Sequence, residues 1–243
     1  MKLHILDSGS KANGYILEGA NEALILEAGV SIDRVAKALN YQNKAKAVLV
    51  THEHGDHAMY AYMYATRFPL LATSGTLNRL GLENSGKAIQ YGKTYSVGGF
   101  RFLPFATEHD AEQPCGFVIN HAECGNILFA TDTYLIAPKV ENLNHLLMEC
   151  NYCEERLTKN YKEGILPTQQ YRRVLYSHMG LASCLHYADS YKEDSLISNI
   201  ILLHGSKRNC DEDLIKKEFS EKIGILPKFA RPNTTINLDL IPF

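Results

Sequence analysis

The amino-acid sequence predicts an α/β fold in which two β-sheets pack together with helices on the outside. Three observations carry that expectation. The apolar runs are short and rich in β-branched residues, as in Lys46-Ala47-Val48-Leu49-Val50, which marks buried strands. The segments come in blocks of strands, helix, strands and helices, an order that suits sheets in the middle and helices outside. Finally, 45% of the 243 residues are hydrophobic and no linker or repeat interrupts them, so residues 1–243 are expected to form a single domain around one large core.

Residues 2–6, 15–18 and 23–27 are apolar segments divided by Ser8-Gly9-Ser10 and Asn13-Gly14, and read as strands joined by tight, glycine-bearing loops. Ser31 stands where a helix N-cap would, before Ile32 to Leu39, in which Ile32, Val35, Ala36 and Leu39 fall at helical spacing. The strand ending at Val50 follows. Ala58 to Arg67 has helical composition, Pro69 to Ala72 reads as a short strand, and Ser74 to Leu80 as a helix stopped by Gly81. Two or three hairpin strands are expected next, then a strand over Phe100 to Thr107 and a hairpin of Cys115 to Asn120 with Asn126 to Thr131. Leu146 to Glu149 is another strand tip, and two or three helical segments are expected between Glu154 and Tyr191. Asn199 to Leu203 reads as a buried strand, Asp211 to Ile223 as a helix, and Thr235 to Leu240 as a final strand after Pro232.

The net charge of −2 excludes a surface that coats nucleic acid by charge alone, so any polyanion must be bound locally. Six cysteines are scattered through the chain, and Met1-Lys2-Leu3-His4 leads straight into a strand, so no signal peptide is expected. Reduced thiols and a cytoplasmic location follow from that reading. A lone Cys150-x-x-Cys153 has no second pair to make a zinc site. Every apolar run is far shorter than a membrane span.

Chemistry is concentrated in Thr51-His52-Glu53-His54-Gly55-Asp56-His57, which places three histidines and two carboxylates in seven residues just past a strand. Strand ends and their loops are where sites sit. His52 and His54, two apart on an extended segment, project to one side and can grip one ion through imidazole nitrogens. Asp56 and His57 are expected to curl back toward a second ion, with Gly55 permitting the turn.

His-x-His-x-Asp-His resembles the signature of the metallo-β-lactamase fold superfamily. The resemblance implies an αββα sandwich of two mixed β-sheets flanked by helices, with a further His, an Asp and a last His at strand ends. His109, Asp132 and His204 stand at such positions. By resemblance, His52, His54 and His109 would hold a first divalent ion and Asp56, His57 and His204 a second, with Asp132 bridging them. An anionic bridge lets two cations lie close together, and a water they share loses a proton near neutral pH, giving a hydroxide nucleophile. An all-His/Asp set suits zinc first, and also manganese or iron, since no thiolate selects among them. The lactam-hydrolysing branch lacks a bridging Asp and is secreted, which argues against that activity. Glu27, in Leu26-Glu27-Ala28-Gly29, stands where the superfamily usually has an Asp that hydrogen-bonds a ligand histidine.

Met148-Glu149-Cys150-Asn151-Tyr152, Ser177-His178-Met179-Gly180 and Leu203-His204-Gly205-Ser206-x-x-Asn209 resemble, in order, segments of the YycJ (WalJ) family of bacterial metallohydrolases. Leu6-Asp7-Ser8-Gly9-Ser10-Lys11-Ala12-Asn13 and His109-Asp110-Ala111-x-x-Pro114-x-Gly116-Phe117 fit the same family. Ser177 and Gly180 depart from its Gly-His-Met-Ser pattern. The positions of Glu149 and His178 are similar to the Glu-His pair of ribonuclease Z, which handles the leaving-group proton. Asp56, Glu149 and His178 are therefore the expected catalytic residues. Ser206, Lys207, Arg208 and Asn209, just past His204, are expected to hold a substrate phosphate. Only 22 residues separate His109 from Asp132, too few for the tRNA-gripping arm of ribonuclease Z itself.

The resemblance implies a dinuclear metal-dependent phosphodiesterase of the DNA exonuclease type, acting on single-stranded DNA ends. A small cyclic-nucleotide phosphodiesterase and a non-catalytic metal-binding module are the alternatives. A homodimer is expected only because dimers are common among soluble oligomers.

Overall fold

The computed structural model describes residues 1–191 and 196–240. The first half runs β1 (Lys2–Asp7), β2 (Gly14–Glu18), β3 (Ala23–Leu26), α1 (Ile32–Ala38), β4 (Ala45–Leu49), α2 (Gly55–Ala58), α3 (Ala61–Ala65), β5 (Leu70–Thr73), α4 (Ser74–Leu80) and β6 (Lys87–Ile89). The second runs β7 (Tyr95–Val97), β8 (Phe100–Ala106), β9 (Cys115–His121), β10 (Gly125–Ala130), β11 (Leu143–Glu149), α5 (Glu154–Lys162), α6 (Thr168–Ser177), α7 (Leu181–Asp189), β12 (Asn199–Leu203), α8 (Glu212–Lys222), β13 (Lys228–Phe229) and β14 (Thr234–Asn237).

These strands form two seven-stranded mixed sheets, ordered β14-β1-β2-β3-β4-β5-β6 and β13-β12-β11-β10-β9-β8-β7. The last strand thus returns to the first sheet and pairs antiparallel with β1. Side-chain alternation explains the layers. Ala47 and Leu49 of β4 face the second sheet and pack in one core with Phe102, Phe117, Phe129 and Leu147. Their neighbours Val48 and Val50 face outward and are covered by Val35, Tyr64 and Leu77 from the helices of the first half. On the other side, Leu146, Met148 and Leu202 are covered by Leu185, Ile215 and Phe219. A strand buried on both faces has no polar face, which is why these segments read as unbroken apolar runs.

Five details differ from the sequence-based expectations or refine them. The helical stretch Ala58 to Arg67 is two short helices, because the Tyr60 amide donates to the Ala28 carbonyl (2.9 Å) and draws the chain out of helical geometry. Lys87–Ile89 is not a hairpin strand; it runs parallel to β5, with α4 making the crossover. The final strand stops at Asn237 because its partner begins at Lys2. Ser31 occupies the N-cap of α1 without a side-chain capping bond. The two-residue strand β13 had no recognisable pattern in the sequence.

Candidate metal centre

Parallel pairing sets the site. β10, β11 and β12 run side by side, with Ala130 opposite Met148 and Glu149 opposite Leu203. Their C-terminal ends therefore bring Asp132, Glu149 and His204 to one edge. His52 and His54 leave β4 at the facing edge of the first sheet, and His109 follows β8. Gly55 is not the hinge expected from the sequence: it opens α2 without a left-handed backbone, and a side chain there would meet open space. The first turn of that helix is what redirects Asp56 and His57.

Three non-glycine residues at these strand ends have left-handed backbones: Glu27 (φ 70°), Asp132 (φ 48°) and His204 (φ 51°). Such conformations are costly and persist where surrounding contacts impose them, commonly at functional sites. Nothing in the sequence foretold them, since none is glycine or asparagine.

Among the described residues, three groups bring ligand atoms within 4.8 Å of one another: His52, His54 and His109; Asp56, His57, Asp132 and His204; and Asp132, Glu149, His178 and His204. His54 Nδ1 lies 3.2 Å from His109 Nε2. Asp132 Oδ2 stands between the first two groups, 3.8 Å from the Nε2 atoms of both His52 and His109 and 3.1 Å from that of His57. Asp56 Oδ2 is 3.3 Å from His57 Nε2 and 3.5 Å from His204 Nε2. The structure thus brings together all seven expected ligand residues.

A set of groups absent from the ligand prediction orients these rings. His109 Nδ1 donates to the Ser177 carbonyl (2.8 Å), which leaves Nε2 as its lone-pair nitrogen. His52 Nδ1 lies 2.9 Å from the Thr51 hydroxyl. Asn13 is buried, its Nδ2 lying 2.9 Å from His57 Nε2 and donating to Asp56 Oδ2 (3.3 Å). The Asn151 amide donates to the His204 carbonyl (3.0 Å), while the His204 amide donates to Ser8 Oγ (2.9 Å). Asn13, Ser8 and Asn151 lay inside segments whose family likeness was visible, but long-range partners cannot be read from one chain. Glu27 does reach the site: its Oε1 is 3.5 Å from His57 Nδ1, and its Oε2 accepts from the Thr51 amide (3.2 Å).

Glu149, fully buried, accepts from His178 Nδ1 (2.7 Å), and the His178 ring stacks on that of His204 at 5.4 Å. Past His204 the chain turns tightly. Ser206 donates its amide to the Asn151 carbonyl (2.9 Å) and accepts at Oγ from the Asn209 amide (3.3 Å). Asn209 is buried, with its Oδ1 accepting from Asn160 (2.8 Å). Lys207 and Arg208 are exposed at the tip of this turn. All six cysteines are free thiols.

Burial opposes charge throughout the site, yet the carboxylates prevail at several rings. Despite burial, Asp132, Asp56 and Glu149 push His204 up to about 10, and Asp132 and Glu27 raise His57 well above the ordinary value. Burial pushes the Asp132 carboxyl up, but the charges of His204 and His57 outweigh it and hold it well below the usual range. His52, buried beside His57, is held well below the ordinary imidazole value. An edge with this much carboxylate calls for positive charge.

Metal ions fit that requirement. His52 Nε2 and His204 Nε2 are buried without a hydrogen-bond partner, and buried ring nitrogens are normally paired. Two imidazole-rich groups sharing one carboxylate are a donor set for two divalent cations.

Fold and site together define a metallo-β-lactamase-fold protein. A family model described as a beta-lactamase superfamily domain matches residues 27–204, and the chain belongs to that superfamily. Within it, the chain is similar to the exodeoxyribonuclease WalJ of Streptococcus pneumoniae, with 29% identity over 174 residues that cover 64% of each chain. The match thus spans 64% of that relative's own length. It is also similar to the exodeoxyribonuclease YycJ of Bacillus anthracis, 27% identical over 244 residues, covering 91% of this chain and 89% of the relative. Among solved structures, zinc-bound PqqB of Methylobacterium extorquens has the same fold, with a TM-score of 0.73 at 15% identity over 98% of this chain and all of that one. Among the described residues, no helix is long and apolar enough to cross a membrane.

Proposed function

We propose that this chain is a metal-dependent phosphodiesterase that degrades DNA from its ends, acting as one domain with two divalent cations. The observation that carries the reading is that the Nε2 atoms of His52 and His204 are buried without a hydrogen-bond partner, the first 3.8 Å from Asp132 Oδ2 and the second 3.5 Å from Asp56 Oδ2. His52, His54 and His109 would hold one cation and Asp56, His57 and His204 the other, with Asp132 available to both. Zinc is the first choice for such ligands, with manganese and iron compatible. Bound there, the pair supplies an activated water and neutralises the scissile phosphate.

The protein's own part is proton and substrate handling. Glu149 holds the His178 ring by Nδ1, so its Nε2 is left to deliver a proton to the departing alkoxide. Burial pushes the His178 pKa down, but the Glu149 charge and hydrogen bond reverse this and raise it above the ordinary imidazole value, which favours the protonated ring. The Ser206 hydroxyl and the cations Lys207 and Arg208 lie on the turn after His204, where a phosphate leaving the site would meet them. Asn209 supports that turn through Ser206. The exodeoxyribonuclease names of the WalJ and YycJ relatives support DNA as the substrate.

The test is to quantify metal per chain and assay hydrolysis of bis-p-nitrophenyl phosphate and labelled single-stranded DNA, beside Asp132→Asn and His178→Ala. Two metals per chain with Asp132-dependent cleavage of DNA is the expected result. A metal-loaded protein inert on both substrates would overturn the reading. Cleavage of the small ester without DNA would replace DNA with a small nucleotide.

A further inference from the structure

One face of α6 borders the metal centre without being part of it. Gln169, Arg172, Arg173 and Tyr176 recur at i, i+3, i+4 and i+7, so they share one side of the helix, and all four are exposed. The direction of that side is set by Arg173, whose Nε donates to Asp110 Oδ2 (2.8 Å), the residue after the ligand His109. The C-terminal end of the helix is anchored at the same place. Ser177 takes the His109 ring proton on its carbonyl, and His178 follows against Glu149. Tyr176 therefore stands at the lip of the cleft, with 74% of its surface in solvent. Among the described residues, neither the Tyr176 nor the Arg172 side chain has a hydrogen-bond, ion-pair or ring partner.

Tyr41 and Tyr62 are comparably exposed, so exposure alone means little; what sets Tyr176 apart is that its uncovered aromatic face lies next to Ser177, which holds the His109 ring. Arg172 and Tyr176 are one turn apart, about 6 Å along the axis, a span that one or two nucleotides cover at about 3.4 Å each. Single-stranded nucleic acid is bound by this combination: an aromatic face for a base and a cation for the adjoining phosphate. A duplex keeps its bases stacked on each other and offers none to the ring.

We infer that Tyr176 and Arg172 form a base-stacking and phosphate-binding platform that holds the single strand next to the scissile linkage. This deepens the phosphodiesterase reading and rests on it. The platform would confer preference for single-stranded polymer over small diesters, while leaving the chemistry at the cations untouched.

Two experiments separate the platform from the activity. In the first, wild type, Tyr176→Ala, Tyr176→Phe and Arg172→Ala are assayed on a single-stranded oligonucleotide and on bis-p-nitrophenyl phosphate. Tyr176→Ala should raise KM for the oligonucleotide roughly tenfold or more, and Tyr176→Phe should restore it. Arg172→Ala should raise KM and reduce the salt dependence of binding by about one counterion. All four proteins should hydrolyse the small diester alike. Unchanged oligonucleotide KM in both alanine variants would overturn the platform even with the phosphodiesterase reading intact.

The second experiment needs no turnover. The chain contains no tryptophan, so Tyr176→Trp in the metal-loaded protein introduces a single reporter at the lip. Single-stranded phosphorothioate oligonucleotide should quench its emission, while the duplex of the same sequence should not. Quenching in a protein that hydrolyses nothing would uphold the platform and sink the activity; absence of quenching would sink the platform.

Discussion

His178 Nδ1 lies 2.7 Å from Glu149 Oε1, and the other oxygen of the same carboxylate accepts from the backbone amides of Thr133 (3.0 Å) and Met179 (3.2 Å). The carboxylate is thus held from both sides, one contact coming from the loop that carries Asp132. Burial pushes Glu149 up, and the His178 and His204 rings outweigh it to keep the carboxyl ionised. A leaving alkoxide needs a proton and p-nitrophenolate does not. His178→Ala should therefore lower kcat on DNA by roughly 10²- to 10⁴-fold and on bis-p-nitrophenyl phosphate far less. Equal losses on both substrates would mean that His178 acts in binding metal or substrate, not as the acid.

Metal loading should be steeply pH-dependent. His57 and His204 hold their protons more tightly than ordinary imidazoles, because Asp132 and its neighbours outweigh burial. A cation must displace those protons, so affinity should rise with pH across neutrality. Calorimetric titration of metal in buffers of different ionisation enthalpy should show proton release. At neutral pH, chelation should lower the Tm, reflecting about 4 kcal/mol of lost stability if free metal exceeds Kd about a thousandfold. A Tm indifferent to chelator at neutral pH would count against the site.

Gly29 is where the metal loop is knitted to the first sheet. Its amide donates to the Asn13 carbonyl (3.1 Å), Asn13 donates to the Asp56 carbonyl (2.7 Å), and Ala28 donates to that of His57 (2.7 Å). A Cβ on Gly29 would overlap the Asp56 carbonyl oxygen and crowd that of Asn13. Backbone cannot step aside as a side chain can. Gly29→Ala should cost about 2–4 kcal/mol in urea unfolding and reduce bound metal, whereas Gly55→Ala, which meets open space, should do neither.

His145 offers a pH effect away from the metals. It sits fully buried in β11, with Asn199 Nδ2 3.1 Å from its Nδ1, and burial pushes its pKa down to about 4. The unfolded chain takes up this proton below about 6.5, while the native state resists until near 4. Its contribution is present above the unfolded value and is lost as pH falls from there toward the folded one. The stability gap between wild type and His145→Gln should therefore change by up to about 3 kcal/mol between those limits. A gap independent of pH would show that His145 titrates normally.

How far the chain alone could be read differs from residue to residue. The strands around Val48 and Leu147 were plain because burial on both faces forces apolar runs, and α4 was plain because Gly81 stops it; the Thr73 cap at its other end emerged only in the structure. The split between α2 and α3 was hidden, since it depends on Tyr60 bonding to Ala28, distant in sequence. The seven expected ligand positions followed from a dense local cluster and a family resemblance. Glu27 was visible as a departure, but whether its longer side chain reached His57 was a question of distance.

By itself the sequence determined which side chains are available: the histidines and carboxylates for a metal edge, and the alternation that buries two sheets between helices. These are local or periodic properties, written in residue type and spacing. Only the tertiary structure decided which atom of each ring faces inward, that Asn13 and Ser177 orient His57 and His109, and that α6 ties Arg173 to Asp110 beside them. Those relationships join residues tens of positions apart. They arise from parallel strand pairing and from left-handed turns at Asp132 and His204, whose strain only the assembled contacts hold in place.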